Sequence, residues 1–196
     1  PNLYKAARTI KFRGETTIIR EEVLVEDEPF ILNLTANGSE PLIVTLAWTD
    51  PAGNVVPINI EDPNTSTDEQ SSKLVNDLDV RLIKYDKNIE GQAIISEVLL
   101  PWKLLDNGIY GKTIAEIEGP ARRGVNNVDN IEKIEVPLLE NYDNPASITS
   151  KGGIYRLEIT HKSNLTSSCG EIGQPFSLVI SGVSMCYNKI VLLQHE

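Results

Sequence analysis

The chain has 196 residues, 40% of them apolar, and a formal charge of −10 at neutral pH, so it can close one sizeable hydrophobic core without needing a second domain. The acidic balance repels phosphate backbones and anionic headgroups, and the Lys and Arg residues are scattered rather than striped, which argues against nucleic acid or a membrane surface as partner. No window approaches the roughly 20 apolar residues of a membrane span, and the opening PNLYKAARTIKFRG lacks the apolar core of a secretory signal.

Because the sequence starts at Pro1 without an initiator methionine, it is expected to be cut from something longer and to form a single domain over residues 1–196. Strand signals then recur along it, each a run in which one parity is apolar. RTIKFRG and TTIIREEVLV are the first candidates. Phe30, Leu32 and Leu34 share a parity in EPFILNLTANG, and Leu42, Val44, Leu46 and Trp48 do so in PLIVTLAWTDPAG. In LVNDLDVRLIKYD the core parity is Leu74, Leu78, Val80 and Leu82, with Asp77, Asp79 and Arg81 on the other side. AIISEVLL follows, then Ile134 and Val136 in NIEKIEVPLLE, Tyr155, Leu157 and Ile159 in GGIYRLEITHK, and Phe176, Leu178 and Ile180 in QPFSLVISG. KIVLLQ is a last candidate.

These runs predict roughly eight to ten short strands between Gly, Pro, Asn and Asp clusters, with no helix of the usual 10–14 residues. The fold class is therefore all-β, an antiparallel β-sandwich, and long crossing connections suit a jelly roll better than a meander. Residues 57–72 and 103–124 read as long loops, where binding activity concentrates.

Catalytic chemistry finds little support. A nucleophile needs a histidine held by a carboxylate, yet His195 adjoins the C-terminal residue and His161 follows a strand in EITHKSN, where a structural role is expected. Ser184 in SGVSM continues a strand rather than opening a helix, and no Asp-Gly or His-Gly motif accompanies it. Phosphate-binding loops and zinc ligand sets are missing. Cys169 and Cys186 either pair across a hairpin or stand as separate buried thiols. Arg122 and Arg123 read as a solvated loop tip. Asn33, Asn37, Asn64 and Asn164 begin glycosylation triplets, which carry no weight in such Asn- and Thr-rich loops.

Oxygen-rich segments are the chemical theme that survives, since Ca²⁺ takes 6–8 oxygens from carboxylates, amides and carbonyls. Asp50 closes AWTDPAG, Asn76, Asp77 and Asp79 fall in VNDLDV, and Asn126, Asn127 and Asp129 in VNNVDN. On a strand Asp77 and Asp79 lie about 7 Å apart on one face and repel unless a cation or an arginine intervenes. Arg81 can supply that charge, so a solvated acidic face and a calcium site both stay open. Asn76 shares the core parity, so its amide must be satisfied, and it is expected to tie loops together.

Taken in order, LAWTDPAG, LVNDLDVRL, GVNNVDNIEKIEV, GGIYRLEITHK and QPFSLVISG resemble the C-terminal domain that follows the catalytic domain in many subtilisin-like serine proteases, over residues 42–182. The resemblance implies a jelly-roll sandwich similar to the P-domain of proprotein convertases. Such a domain packs on the protease domain of the same parent chain and stabilises it, in a secreted or cell-envelope protein, and has no active site of its own. It also implies structural calcium, which moves the acidic residues toward a metal role, with Asp50, Asp77, Asp79 and Asp129 as matching positions beside Asn76 and Asn127. Two other readings of the same sandwich are a carbohydrate-binding module, using Trp48, Trp102 or Tyr110, and a cell-surface interaction domain. An aromatic content of 6% and the core parity of Trp48 speak against the former.

Overall fold

The computed structural model describes residues 3–53, 72–103, 120–137, 152–166 and 173–184, together with the backbone of 139–140 and 148–149. Within them the chain forms one short helix, α1 (Leu3–Lys11), and twelve strands. The eight longer strands are β1 (Thr17–Leu24), β2 (Phe30–Ala36), β3 (Leu42–Trp48), β4 (Leu78–Lys87), β5 (Ala93–Leu99), β8 (Ile131–Val136), β11 (Gly153–His161) and β12 (Gln174–Ser181). Two-residue ladders complete the set: β6 (Trp102–Lys103) with β7 (Arg122–Arg123), and β9 (Leu139–Glu140) with β10 (Ile148–Thr149).

The long strands build two four-stranded antiparallel sheets, ordered β1-β12-β3-β8 and β2-β11-β4-β5. The expected parity governs their burial. Leu42, Val44, Leu46 and Trp48 from β3 and Phe176, Leu178 and Ile180 from β12 point inward from the first sheet. Val80 and Leu82 from β4 and Tyr155, Leu157 and Ile159 from β11 meet them from the second, and all belong to one buried cluster. Phe30 closes on Phe176 edge to face, ring centroids 5.3 Å apart, the arrangement that the ring quadrupoles favour. The antiparallel all-β sandwich expected from the sequence is thus present.

Three expectations are corrected. RTIKFRG is not a strand: Arg8–Lys11 form the last turn of α1. Leu, Lys, Ala and Arg favour helix, and Arg8 and Lys11 complement the negative end of the helix dipole. At nine residues α1 is shorter than the 10–14-residue helix that the sequence did not predict. Arg122 and Arg123 are not a solvated tip either. They form β7, and the Arg123 guanidinium lies 4.0 Å over the Trp102 ring while donating to the carbonyls of Leu100, at 3.0 Å, and Glu135. Finally, Arg81 does not neutralise Asp77 and Asp79. Its register partner on β11 is Glu158, and the two form an ion pair.

Residues 57–71 and 104–119 of the long loops lie outside the described residues, as do KIVLLQ, Cys169, Cys186, His195, Tyr110 and Asn64. No helix among the described residues is long and apolar enough to cross a membrane. Two glycines fix the ends of β12. Gly173 and Gly182 have φ of 101° and 83°, and a Cβ on either would stand 2.3 Å from a backbone oxygen, that of Leu24 or of Pro41. Only glycine meets both demands.

Candidate functional site

The polar residues singled out in the sequence gather mainly where β4, β8, β11 and β12 begin or end, and they fall into three groups. The first centres on Asn76, which precedes β4 and is 1% exposed. Its Nδ2 donates to Thr166 O at 2.9 Å and to Gln174 Oε1 at 2.7 Å, while its Oδ1 accepts the Thr166 N–H at 2.8 Å. Its carbonyl accepts the Trp48 indole N–H at 3.0 Å. Asp50 completes this group: Oδ2 accepts Val75 N–H at 2.6 Å and Oδ1 accepts Asn76 N–H at 2.8 Å. Gln174 Nε2 donates onward to the carbonyls of Thr49, at 3.1 Å, and Pro175, at 2.8 Å. Asn76 therefore ties three chain segments together with its amide fully used, as its parity required.

The second group is the turn before β8. Asn126 is buried, accepts the N–H groups of Val128 and Asp129 on its Oδ1, and donates to Asp129 Oδ2 at 3.2 Å. Asp129 closes its own turn and does not join the other carboxylates.

Asp77, Asp79 and Asn127 form the third group, converging on one cation, the ammonium of Lys162 just after β11. Lys162 Nζ lies 2.8 Å from Asp77 Oδ2, 2.5 Å from Asn127 Oδ1 and 3.5 Å from Asp79 Oδ1, and Lys162 N–H donates to Asp77 O at 3.2 Å. Burial pulls the lysine pKa down, but the hydrogen bond with Asp77 and the charges of Asp79 and Asp77 outweigh it and leave the pKa raised. Burial raises the Asp79 carboxyl despite the nearby lysine.

Below this group sits Glu132 on β8, 0% exposed. One oxygen accepts Val80 N–H at 2.7 Å, and the other, Oε1, has no hydrogen-bond partner among the described residues; nor does Asp77 Oδ1. Burial pushes the Glu132 carboxyl up to about 8, opposed by the Val80 bond and reinforced by Asp79 and Asp77. Glu132, Lys162 and Gln174 were not among the sequence candidates. Glu132 and Gln174 left a signal, since each falls on the inward parity of an apolar strand, whereas Lys162 left none.

The calcium implied by the resemblance does not fit these residues as they stand. Both oxygens of Asp50 are taken by backbone N–H groups, Asn76 is consumed by its own network, and Asp129 is turned to Asn126. Only Asp77, Asp79 and Asn127 share a centre, and an ammonium group holds it. Among the described residues no group of three or more acidic, His or Cys side chains is placed to hold a metal ion.

His161 has both ring nitrogens committed: Nε2 accepts Asp27 N–H at 3.1 Å and Nδ1 pairs with Ser163 O at 2.8 Å. Ser184 follows the end of β12, its N–H bonded to Thr35 O at 2.8 Å. Trp48 is buried, and Trp102, 41% exposed, has Arg123 stacked against its ring. No protein-family model matches the chain, and no curated protein matches it.

Proposed function

We propose that this chain is a non-catalytic, jelly-roll accessory domain of a secreted or cell-envelope subtilisin-like serine protease, similar to a P-domain, which docks on the catalytic domain of the same parent chain and stabilises it. One observation carries the reading. The five ordered segments of the resemblance are not scattered over the fold; they supply β3, β4, β8, β11 and β12, the adjoining strands β12-β3-β8 and β11-β4 of the two sheets, and their polar ends interlock through Asp50, Asn76 and Gln174. A strand order of β1-β12-β3-β8 against β2-β11-β4-β5 is what two interlocked Greek keys produce and supports the jelly-roll assignment. The engagement of His161 on both nitrogens supports a non-catalytic role.

A docking face is available on the second sheet. Ile154 on β11 stands opposite Tyr85 on β4, which pairs with Ile95 on β5, and Ile83 pairs with Val98 one row away. Ile95, Val98 and Ile154 are all exposed, an apolar row of the kind used in contacts between domains. The decisive experiment has two parts. The reading frame upstream should encode an Asp-His-Ser triad with a glycine-flanked serine, and its absence rejects the proposal. The protease unit should lose thermal half-life when residues 1–196 are deleted or when Ile95 and Ile154 are both replaced by Lys; an unchanged half-life in the deletion rejects the stabilising role.

A further inference from the structure

We infer that α1 is the anchor of this domain on its protease: the apolar stripe of the helix seats in an apolar, carboxylate-rimmed recess of the catalytic domain in the same parent chain, a contact that rests on the accessory-domain reading.

α1 is amphipathic and faces the wrong way for its own domain. The i, i+3, i+4, i+7 spacing sets Leu3, Ala6, Ala7 and Ile10 along one face, and Lys5, Arg8, Thr9 and, one residue past the helix end, Phe12 along the opposite one. The polar face meets the body. Its residues line a cleft with Ile43 and Thr45 of β3 and Val179 of β12, on the outer side of the first sheet, and Arg8 pairs with Glu40 at 3.6 Å. The apolar stripe points to solvent, with Leu3 79% and Ile10 68% exposed and both alanines exposed between them. A helix on a soluble domain turns its apolar stripe to a core, and the nine residues of α1 are fewer than the roughly 12–15 that an isolated helix needs in water. The stripe is built to be covered.

Size, charge and position select what covers it. Four side chains are far fewer than the roughly 20–30 residues that each partner of a stable free complex contributes, so the stripe suits a neighbour held close by a covalent link, for which a small contact suffices. That favours the catalytic domain of the same chain over a second copy or a diffusing partner. α1 and the two residues after it carry Lys5, Arg8, Lys11 and Arg13 and no acidic side chain, in a chain of net charge −10. The acidic body repels an anionic lipid surface, whereas carboxylates around a protein recess complement the exposed Lys11 and Arg13. α1 also stands at the same end of the sandwich as Ile154: Thr16 O accepts Val183 N–H at 3.2 Å, Val183 bridges to Ala36, and Ala36 pairs with Gly153. One neighbour at this end can therefore reach both the helix and the apolar row of the second sheet.

The test is trypsin cleavage at Lys5, Arg8 and Lys11, followed by mass spectrometry, in chain 1–196 and in the parent chain with its protease blocked by a fluorophosphonate. The parent is expected to be cut within α1 at least ~10-fold more slowly than chain 1–196. Replacing Leu3 and Ile10 together by Asp in the parent should restore fast cutting and shorten the thermal half-life of peptidase activity, while the same double variant of chain 1–196 melts with the natural protein. Equal cutting of the natural parent and chain 1–196 overturns the inference and leaves the accessory-domain reading standing; an upstream frame without the triad removes both. A melting point that falls as far in chain 1–196 as in the parent overturns it too, because the stripe would then pack within the domain itself. The inference also fails if chain 1–196 forms a dimer in sedimentation, or floats with phosphatidylcholine–phosphatidylserine vesicles, and the double variant abolishes it, since the stripe would then serve a second copy or a lipid surface.

Discussion

Asn76 and Gln174, 98 positions apart in the chain, are joined by a 2.7 Å hydrogen bond inside the protein, where the Asn76 amide also grips both backbone groups of Thr166. Replacing Asn76 by Leu takes the partner from the buried Gln174 Oε1 and from both backbone groups of Thr166, and a buried group orphaned in this way costs about 1–3 kcal/mol. Asn76→Leu is therefore expected to lower stability by roughly 2–4 kcal/mol. Urea unfolding measures it, and a midpoint that stays put or rises shows that the amide network does not hold the loops.

Glu132 gives the protein a pH dependence opposite in sign to that of an ordinary ion-paired carboxylate. Its pKa is about 8 when folded, against a reference of 4.5. Below the lower value both states are protonated and the stabilisation is complete. Between the two the unfolded chain gives up the proton and the folded one keeps it, so stability falls as pH rises, by up to about 1.4 kcal/mol per pH unit. Glu132→Gln keeps an acceptor for Val80 N–H and removes the titration. Urea midpoints taken at about pH 5, 6, 7 and 8 should decline more steeply for the natural protein than for E132Q; parallel curves would show that Glu132 titrates normally.

Gly182 makes the turn out of β12 under Pro41. Gly182→Ala asks for a side chain at a positive φ and against a carbonyl at once, which is expected to cost roughly 2–4 kcal/mol. Gly91 also has a positive φ, but a Cβ there would meet nothing within 4 Å. It serves as the control, and its Ala variant should cost only about 1 kcal/mol. Equal losses at the two sites would mean that the close approach to Pro41 is not real.

Arg123 holds the β6–β7 ladder to the body of the domain by stacking on Trp102 and donating to two carbonyls. A lysine retains the charge but lacks the planar fork. Arg123→Lys is expected to lose about 1–2 kcal/mol and to raise the solvent exposure of Trp102, read as a red shift in its fluorescence. A variant as stable as the natural protein, with unshifted emission, removes Arg123 from this role.

How far the fold could be read in advance differed from strand to strand. β3 and β12 announce themselves because four and three apolar side chains alternate without interruption, and a strand between two others in a sandwich must bury one face. α1 was hidden for the complementary reason. Leu3, Ala6, Ala7 and Ile10 do fall at the i, i+3, i+4, i+7 spacing of a helix, but none of its nine residues is buried, and Ile10 and Phe12 imitate a strand. The site was half legible. Asp77, Asp79 and Asn127 drew notice as oxygen donors, and they do converge. Lys162 reaches Asp77 across 85 positions and Glu132 reaches Val80 across 52, and such meetings are set by strand register, which no local stretch of sequence encodes.

The order of strands in space also fixes an order in time. β12 lies between β1 and β3, and β11 between β2 and β4, so the ribosome delivers the centre of each sheet after strands on both sides of it. Until residue 181 has emerged, β1 has no neighbour to pair with and β3 lacks one of its two. Such distant pairings bring folding to the slow, millisecond-to-second end of the range, and a chain stopped short of β12 would leave the edges of the first sheet bare to other molecules.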